Sequence, residues 1–230
     1  MINVLPLSLG DLADQRIIGI LIRSLLITLL IFVILGFGMG WLLDGIDPCG
    51  WIGDMECTFD RSASGLGAIA LTVLALWFLF PAVALGVICT YIDRITVIIE
   101  QRHYPGAAAS ARATGVAGMA MLGLRSTLRV LIYNLIAAPF YILLLVTGVG
   151  TVILFVLVNG LAFGRDLGEM VAARHGDRAA RRAWLGASRG GRFLIGTAVT
   201  ALFLVPFVNL LAPILGAAMT THLYHQMRRD

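Results

Sequence analysis

Two uncharged runs of 35 residues each, 130–164 and 193–227, constrain this chain more than any other feature. A helix crosses a bilayer core in about 20 residues, and two crossings with a turn need over 40. Each run is therefore too long for one pass and short for two. Each also carries breakers near its middle: Gly148 and Gly150 in the first, Pro206 and Pro213 in the second. Both runs read as helical hairpins with short legs, reaching part-way into the bilayer. Two other uncharged runs suit single crossings, residues 24–43 (20 residues) and 62–92 (31 residues). With their flanks they predict spans over about 17–43 and 65–92, the second kinked at Pro81. Charged residues make up 13% of the chain, half the usual share of a soluble domain (about 25%). The reading is an all-α integral membrane protein, a single membrane domain over residues 1–230. Residues 1–15 show no cleavable signal pattern, so the first apolar run is expected to persist in the mature chain.

Loop charge gives the direction. Residues 44–64 hold five acids against Arg61, whereas residues 93–129 hold five arginines against two acids. Residues 165–192 hold seven arginines against three acids. Basic loops stay in the cytoplasm, which places the 44–64 loop outside and both arginine-rich connectors inside. That assignment requires 130–164 to enter and return. Non-helical backbone at the hairpin turns must then meet protein or a wet cavity, since lipid offers it no hydrogen bonds. All 17 basic residues are arginine. This pattern fits the base composition of a G+C-rich genome, and it also fits selection for planar, bidentate anion recognition. The arginines flank apolar runs rather than forming a soluble basic face, which argues against nucleic acid.

Two cytoplasmic segments read as amphipathic helices. In residues 91–103, Ile92, Ile95, Ile98 and Ile99 share one face, with Asp93, Arg94, Glu100 and Arg102 off it, until Tyr104-Pro105-Gly106 stops the helix. Residues 106–115 read as a loop or short linker. Residues 165–184 read as a second amphipathic helix, with Leu167, Met170 and Val171 inward and its arginines at the headgroups. Cys89 is expected to pack within an apolar run. Cys49 and Cys57 share the outer loop, where a disulfide is chemically allowed. Gly36, Gly38 and Gly40 read as a site of close helix packing.

The expectation is neither an enzyme nor a cofactor protein. No nucleophile motif and no phosphate loop occurs, and no His/Cys cluster has metal-ligand spacing. His103, His175, His222 and His225 are scattered, and His222 with His225 reads as an interfacial pair. Polar groups at the edges of apolar runs carry more weight, because lipid makes them costly. These are Arg23, Arg125, Arg129, Asn134, Asn159, Arg165 and Asn209. They suit helix–helix hydrogen bonding, or an anion path in which broken helices present N-terminal amides and arginine adds full charge. Asn134 and Asn209 each begin a similar string, Asn134-Leu135-Ile136-Ala137-Ala138-Pro139 and Asn209-Leu210-Leu211-Ala212-Pro213.

Three markers carry a resemblance. Tyr91-Ile92-Asp93-Arg94 precedes Glu100-Gln101-Arg102-His103-Tyr104-Pro105. Val158-Asn159-Gly160 leads into Gly164-Arg165-Asp166-Leu167-Gly168-Glu169. Val205-Pro206-Phe207-Val208-Asn209-Leu210-Leu211-Ala212-Pro213 is followed by Gly216 and His222. Together, from about Arg16 to the C-terminus, the chain resembles the CysZ-like sulfate permease family, which includes the eukaryotic etoposide-induced membrane proteins. The resemblance implies a multi-pass bacterial inner-membrane protein, two long helices with two partly inserted hairpins, and a homo-oligomer. It implies sulfate uptake feeding cysteine synthesis, with sulfate or a related anion bound near the start of the first membrane helix. Arg16, Gly19 and Arg23 are the nearest counterparts here. The alternative is a non-transporting membrane scaffold or assembly factor, as the eukaryotic relatives suggest.

Overall fold

The computed structural model describes residues 4–43, 80, 83–84, 86–112, 115–205 and 208–228. Helix is the regular structure throughout, and no strand occurs among the described residues. The acidic loop 44–64 with Cys49 and Cys57, most of the 65–92 span, Pro81 and Pro206 lie outside the described residues, as do the side chains around Gly36, Gly38 and Gly40.

The chain divides into two compact units, one formed by residues 1–19 and 89–230 and the other by 20–88. Helix α1 (Val4–Asp11) is followed by α2 (Gln15–Leu43), whose first turns belong to the first unit and the remainder to the second. Asp14 caps α2, its carboxylate accepting the Arg16 amide at 2.8 Å in the manner of an N-cap. In the second unit the Phe32 and Phe80 rings lie 5.6 Å apart. Ser24 and Thr28 return their hydroxyls to backbone carbonyls within α2, so neither hydroxyl needs lipid or water to satisfy it.

The first unit continues with α3 (Ile92–His103), α4 (Pro105–Ser110), α5 (Val116–Leu144) and α6 (Val149–Ala173), then α7 (Arg178–Ala187), α8 (Arg189–Phe203) and α9 (Ala212–Gln226). On α3 the residues Ile92, Ile95 and Ile99 are buried as the periodicity predicts. Glu100 departs from it: expected off the apolar face, it is wholly buried. The segment after Tyr104 is a short helix, α4, because Pro105 takes the first helical position, where its missing N–H costs nothing. The expected helix over 165–184 is two helices. Gly176, at φ 103°, turns the chain in a region that other residues avoid. Asp177 then caps α7 by accepting the Ala180 amide at 2.8 Å. Cys89 is exposed, not packed.

Helices α5 and α6 form the first hairpin, reversed by a 3₁₀ turn (Leu145–Thr147) and by Gly148 at φ 63°. Its helices, of 29 and 25 residues, run on past the uncharged portion, and both are long and apolar enough to cross a membrane, as is α2 over Gln15–Leu35. At about 1.5 Å per residue the 25 residues of α6 reach roughly 38 Å. Legs of that length are enough to cross a bilayer core, and the turn between them is open, with Val146 94% exposed. The second hairpin has the short legs expected, α8 and α9 at 15 residues each. Pro213 opens α9 instead of breaking it.

Glycine sets the packing between the hairpins. A Cβ at Gly160 would lie 2.7 Å from Thr197 Cα, one at Gly164 would overlap the Arg192 carbonyl, and one at Gly196 would overlap the Gly160 carbonyl. Helices α6 and α8 therefore touch backbone to backbone, the small-residue packing that membrane helices use in place of a hydrophobic drive. Around this contact Ile195, Val199, Ala212 and Leu223 form one apolar cluster, and Val171, Ala172, Trp184 and Tyr224 form another.

Candidate functional site

The C-terminal ends of four helices converge in the first unit. Asp11 ends α1, Glu100 and His103 end α3, Arg174 and His175 follow α6, and His222 and His225 end α9. Helix C-termini carry partial negative charge, so imidazole and guanidinium groups are favoured there. Two linked clusters result. In the first, His103 Nε2 donates to Asp11 Oδ1 at 2.7 Å and His222 Nε2 donates to Asp11 Oδ2 at 2.8 Å. Tyr104 donates its hydroxyl to His222 Nδ1 at 2.9 Å, which fixes that tautomer. In the second, Glu100 Oε1 accepts from His175 Nε2 at 2.6 Å and lies 3.4 Å from His225 Nε2, while Arg174 reaches Oε2 at 3.4 Å. Arg174 also binds Asp93 at 3.1 Å. The Tyr104 ring stacks on His225 with centroids 4.2 Å apart and joins the clusters.

These contacts decide the state of both acids. Burial by itself raises each carboxyl, but hydrogen bonds from His175 and His225 with the Arg174 charge hold Glu100 down at about 2. Hydrogen bonds from His222 and His103 likewise hold Asp11 below its ordinary value. Both remain ionised, so the cost of burying them is met by donors. The four histidines that look scattered in sequence thus form one network, in which His175, His222 and His225 are buried and His103 is half-buried. Separations of 92 and 211 residues between Asp11 and its two partners gave local spacing nothing to detect.

The residues singled out along the hairpins fall into pairs. Asn134 and Asn159 face each other across α5 and α6, each amide donating to the other at 3.1 and 3.3 Å, with Tyr141 donating to Asn134 at 3.1 Å. Arg129 binds Asp166 and Glu169, and Arg165 binds Glu169 at 3.0 Å. Arg125 is exposed, and Asn209 sits half-buried in the turn before α9. Arg16 is exposed, Gly19 is half-buried, and no atom lies within 4 Å of a Cβ built at Gly19. Arg23, further along α2, is exposed.

A basic cavity of about 330 Å³ opens between α6, α7 and α8, lined by Tyr133, Arg165, Arg182, Arg189 and Arg192. Among the described residues, Arg182, Arg189 and Arg192 form no salt bridge, and Glu169 acts on Arg192 only through its charge. Arg192 is buried, and its contacts are the Ser188 hydroxyl at 2.9 Å, the Leu185 carbonyl at 2.6 Å and the face of Trp184. The reading of 165–184 as a helix along the headgroups covered Arg165 and Arg182 but not Arg189 or Arg192. A nearer signal was Arg189 and Arg192, three residues apart and so on one face of α8.

Neither the curated proteins nor the solved structures offer a match to the chain. A family profile described as sulfate transporter CysZ/etoposide-induced protein 2.4 matches residues 5–213, a stretch that includes α1 to α8. The apolar helices, the paired hairpins and this match agree, and the chain is a membrane protein belonging to the sulfate transporter CysZ/etoposide-induced protein 2.4 family.

Proposed function

We propose that the chain is a permease for a small oxyanion, sulfate being the first candidate, in a bacterial inner membrane, where it supplies sulfur for cysteine synthesis. The observation that carries this reading is the arginine-lined cavity. Arg182, Arg189 and Arg192 meet there without a salt bridge, Arg192 bound by the Ser188 hydroxyl, the Leu185 carbonyl and the Trp184 ring, so the cavity holds net positive charge. Arg192 is the buried member, and buried charge is costly unless an anion visits it. Arginine presents paired N–H donors to sulfate oxygens, which replace part of the hydration shell. Arg16 with Gly19, and separately Arg23, stand on α2 with exposed guanidinium groups suited to first capture. The acids of the hairpin have their own arginines, Arg129 and Arg165, and so do not oppose the anion. The family match supports a transport role in general terms.

The test is radiolabelled sulfate flux into proteoliposomes. Arg182→Gln with Arg189→Gln, both exposed positions, lowers the initial rate by about tenfold, as does Arg23→Ala, the loss expected for one charge-assisted contact. A wild-type rate no greater than in empty vesicles removes the reading. The Asn134–Asn159 pair, satisfied within the fold, then favours a scaffold whose intramembrane polar groups serve packing alone.

A further inference from the structure

We infer that Glu100, His175 and His225 form a binding site for a divalent transition metal, Zn2+ first, with an open coordination position facing a cavity. The three side chains each offer one ligand atom, and these atoms all lie within 4.8 Å of one another. Two imidazoles and a carboxylate are the donor set that proteins use for zinc and for ferrous iron, and three protein ligands leave a fourth position for water or an anion. Zinc–ligand distances of about 2.0–2.2 Å in a tetrahedron separate donors by roughly 3.3 Å. His225 Nε2 already stands 3.4 Å from Glu100 Oε1. His175 Nε2, at 2.6 Å, needs to withdraw by less than about 1 Å. All three residues are buried.

The surroundings fit a metal as well. Arg174 holds the other oxygen of Glu100 at 3.4 Å and is itself held by Asp93 at 3.1 Å. A hydrogen bond to the free oxygen of a ligating carboxylate is the outer support that orients metal ligands. Glu100, Asp93 and Arg174 together carry one net negative charge, which favours a dication. Access comes from a cavity of about 520 Å³ lined by Tyr104, Ser110, His175, His225 and Arg228, so the open position is reachable from outside the fold.

The neighbouring triad of Asp11, His103 and His222 is less suited. Each oxygen of Asp11 is taken by one imidazole, at 2.7 and 2.8 Å, and Arg102 stands 3.5 Å from the same carboxylate. Tyr104 holds the remaining nitrogen of His222, so that triad is closed by its own hydrogen bonds. A metal at Glu100 would clamp α3, the turn after α6 and the end of α9, three elements with no local link in sequence.

The full chain, purified in detergent without a histidine tag, stripped with chelator and titrated with Co2+, tests this. One equivalent of Co2+ gives the intense visible bands of a tetrahedral site, and X-ray absorption of the Zn2+ form shows two imidazoles per metal. His175→Gln weakens binding at least about 100-fold, whereas His103→Gln leaves it unchanged. Wild-type chain that binds no Co2+ at micromolar concentration overturns the proposal, whatever the variants do. So does a site that His103→Gln abolishes and His175→Gln spares, which would move the metal to the other triad.

Discussion

Gly196→Leu gives no folded, monodisperse protein in detergent, and Gly196→Ala gives a chain of sharply lower thermal stability. The reason lies in what the new atoms would strike. A Cβ at Gly196 overlaps the Gly160 carbonyl and stands 2.5 and 2.8 Å from the Gly164 amide nitrogen and Cα. These are backbone atoms, fixed by helical hydrogen bonds, and they yield only if α6 and α8 move apart. Overpacking of a rigid interior costs about 1–3 kcal/mol or more, and separating these helices also opens the cluster of Ile195, Val199, Ala212 and Leu223. Gly123→Ala is the control. A Cβ there meets nothing within 4 Å, so the variant unfolds at the wild-type temperature or slightly above it. Thermal unfolding followed by size-exclusion fluorescence reads all three variants. Equal stability of Gly196→Leu and wild type would show that the close crossing does not exist.

Glu100→Gln is the second large effect. The substitution keeps the shape and removes the charge that Arg174 and His175 face in a buried site. Breaking a buried ion pair by removing one partner costs about 3–5 kcal/mol; here Arg174 is left with Asp93 alone and His175 and His225 lose the carboxylate they face. The glutamine amide also presents donors where the imidazoles and the guanidinium already donate. For a chain of this size the expected fall in Tm is on the order of 10 °C, measured in chelator so that metal plays no part. Gln101→Ala, its exposed neighbour on α3, moves the Tm little. A Tm unchanged by Glu100→Gln would mean that the acid is solvated and the network is not built as described.

The membrane class, the first long helix, the hairpin reversal at Gly148 and the short second hairpin were legible in the sequence, because each follows from a local quantity. Run length, loop charge and breaker position do not depend on tertiary contacts. The buried acid–imidazole network was not legible for the opposite reason. Helical periodicity puts Glu100 beside Asp93 and Thr96, at the edge of the apolar face, and only the arrival of α9 and the turn after α6 converts that edge into an interior. The split at Gly176 escaped because the amphipathic pattern of 165–184 continues across it. The backbone contact of α6 with α8 was half-visible. Gly160, Gly164 and Gly168 are spaced by four, the small-residue pattern of membrane helix pairs, but their partner Gly196 lies in another hairpin.

Both the arginine cavity and the histidine network depend on one topological feature. The 104–112 segment, the 174–192 connector and the end of α9 sit at one end of the first unit, tied by the Arg112 amide to the Arg174 carbonyl at 3.0 Å and by Tyr104 to His222 at 2.9 Å. The direct measurement is labelling with a membrane-impermeant maleimide in a chain freed of Cys49, Cys57 and Cys89. Single cysteines replace Ser110, Arg178 and Met227, and intact cells are compared with inside-out vesicles. All three positions label from the cytoplasmic face and from that face alone. Labelling of Arg178→Cys from the opposite side to Ser110→Cys would contradict the fold-back and, with it, the cavity proposed to carry the anion.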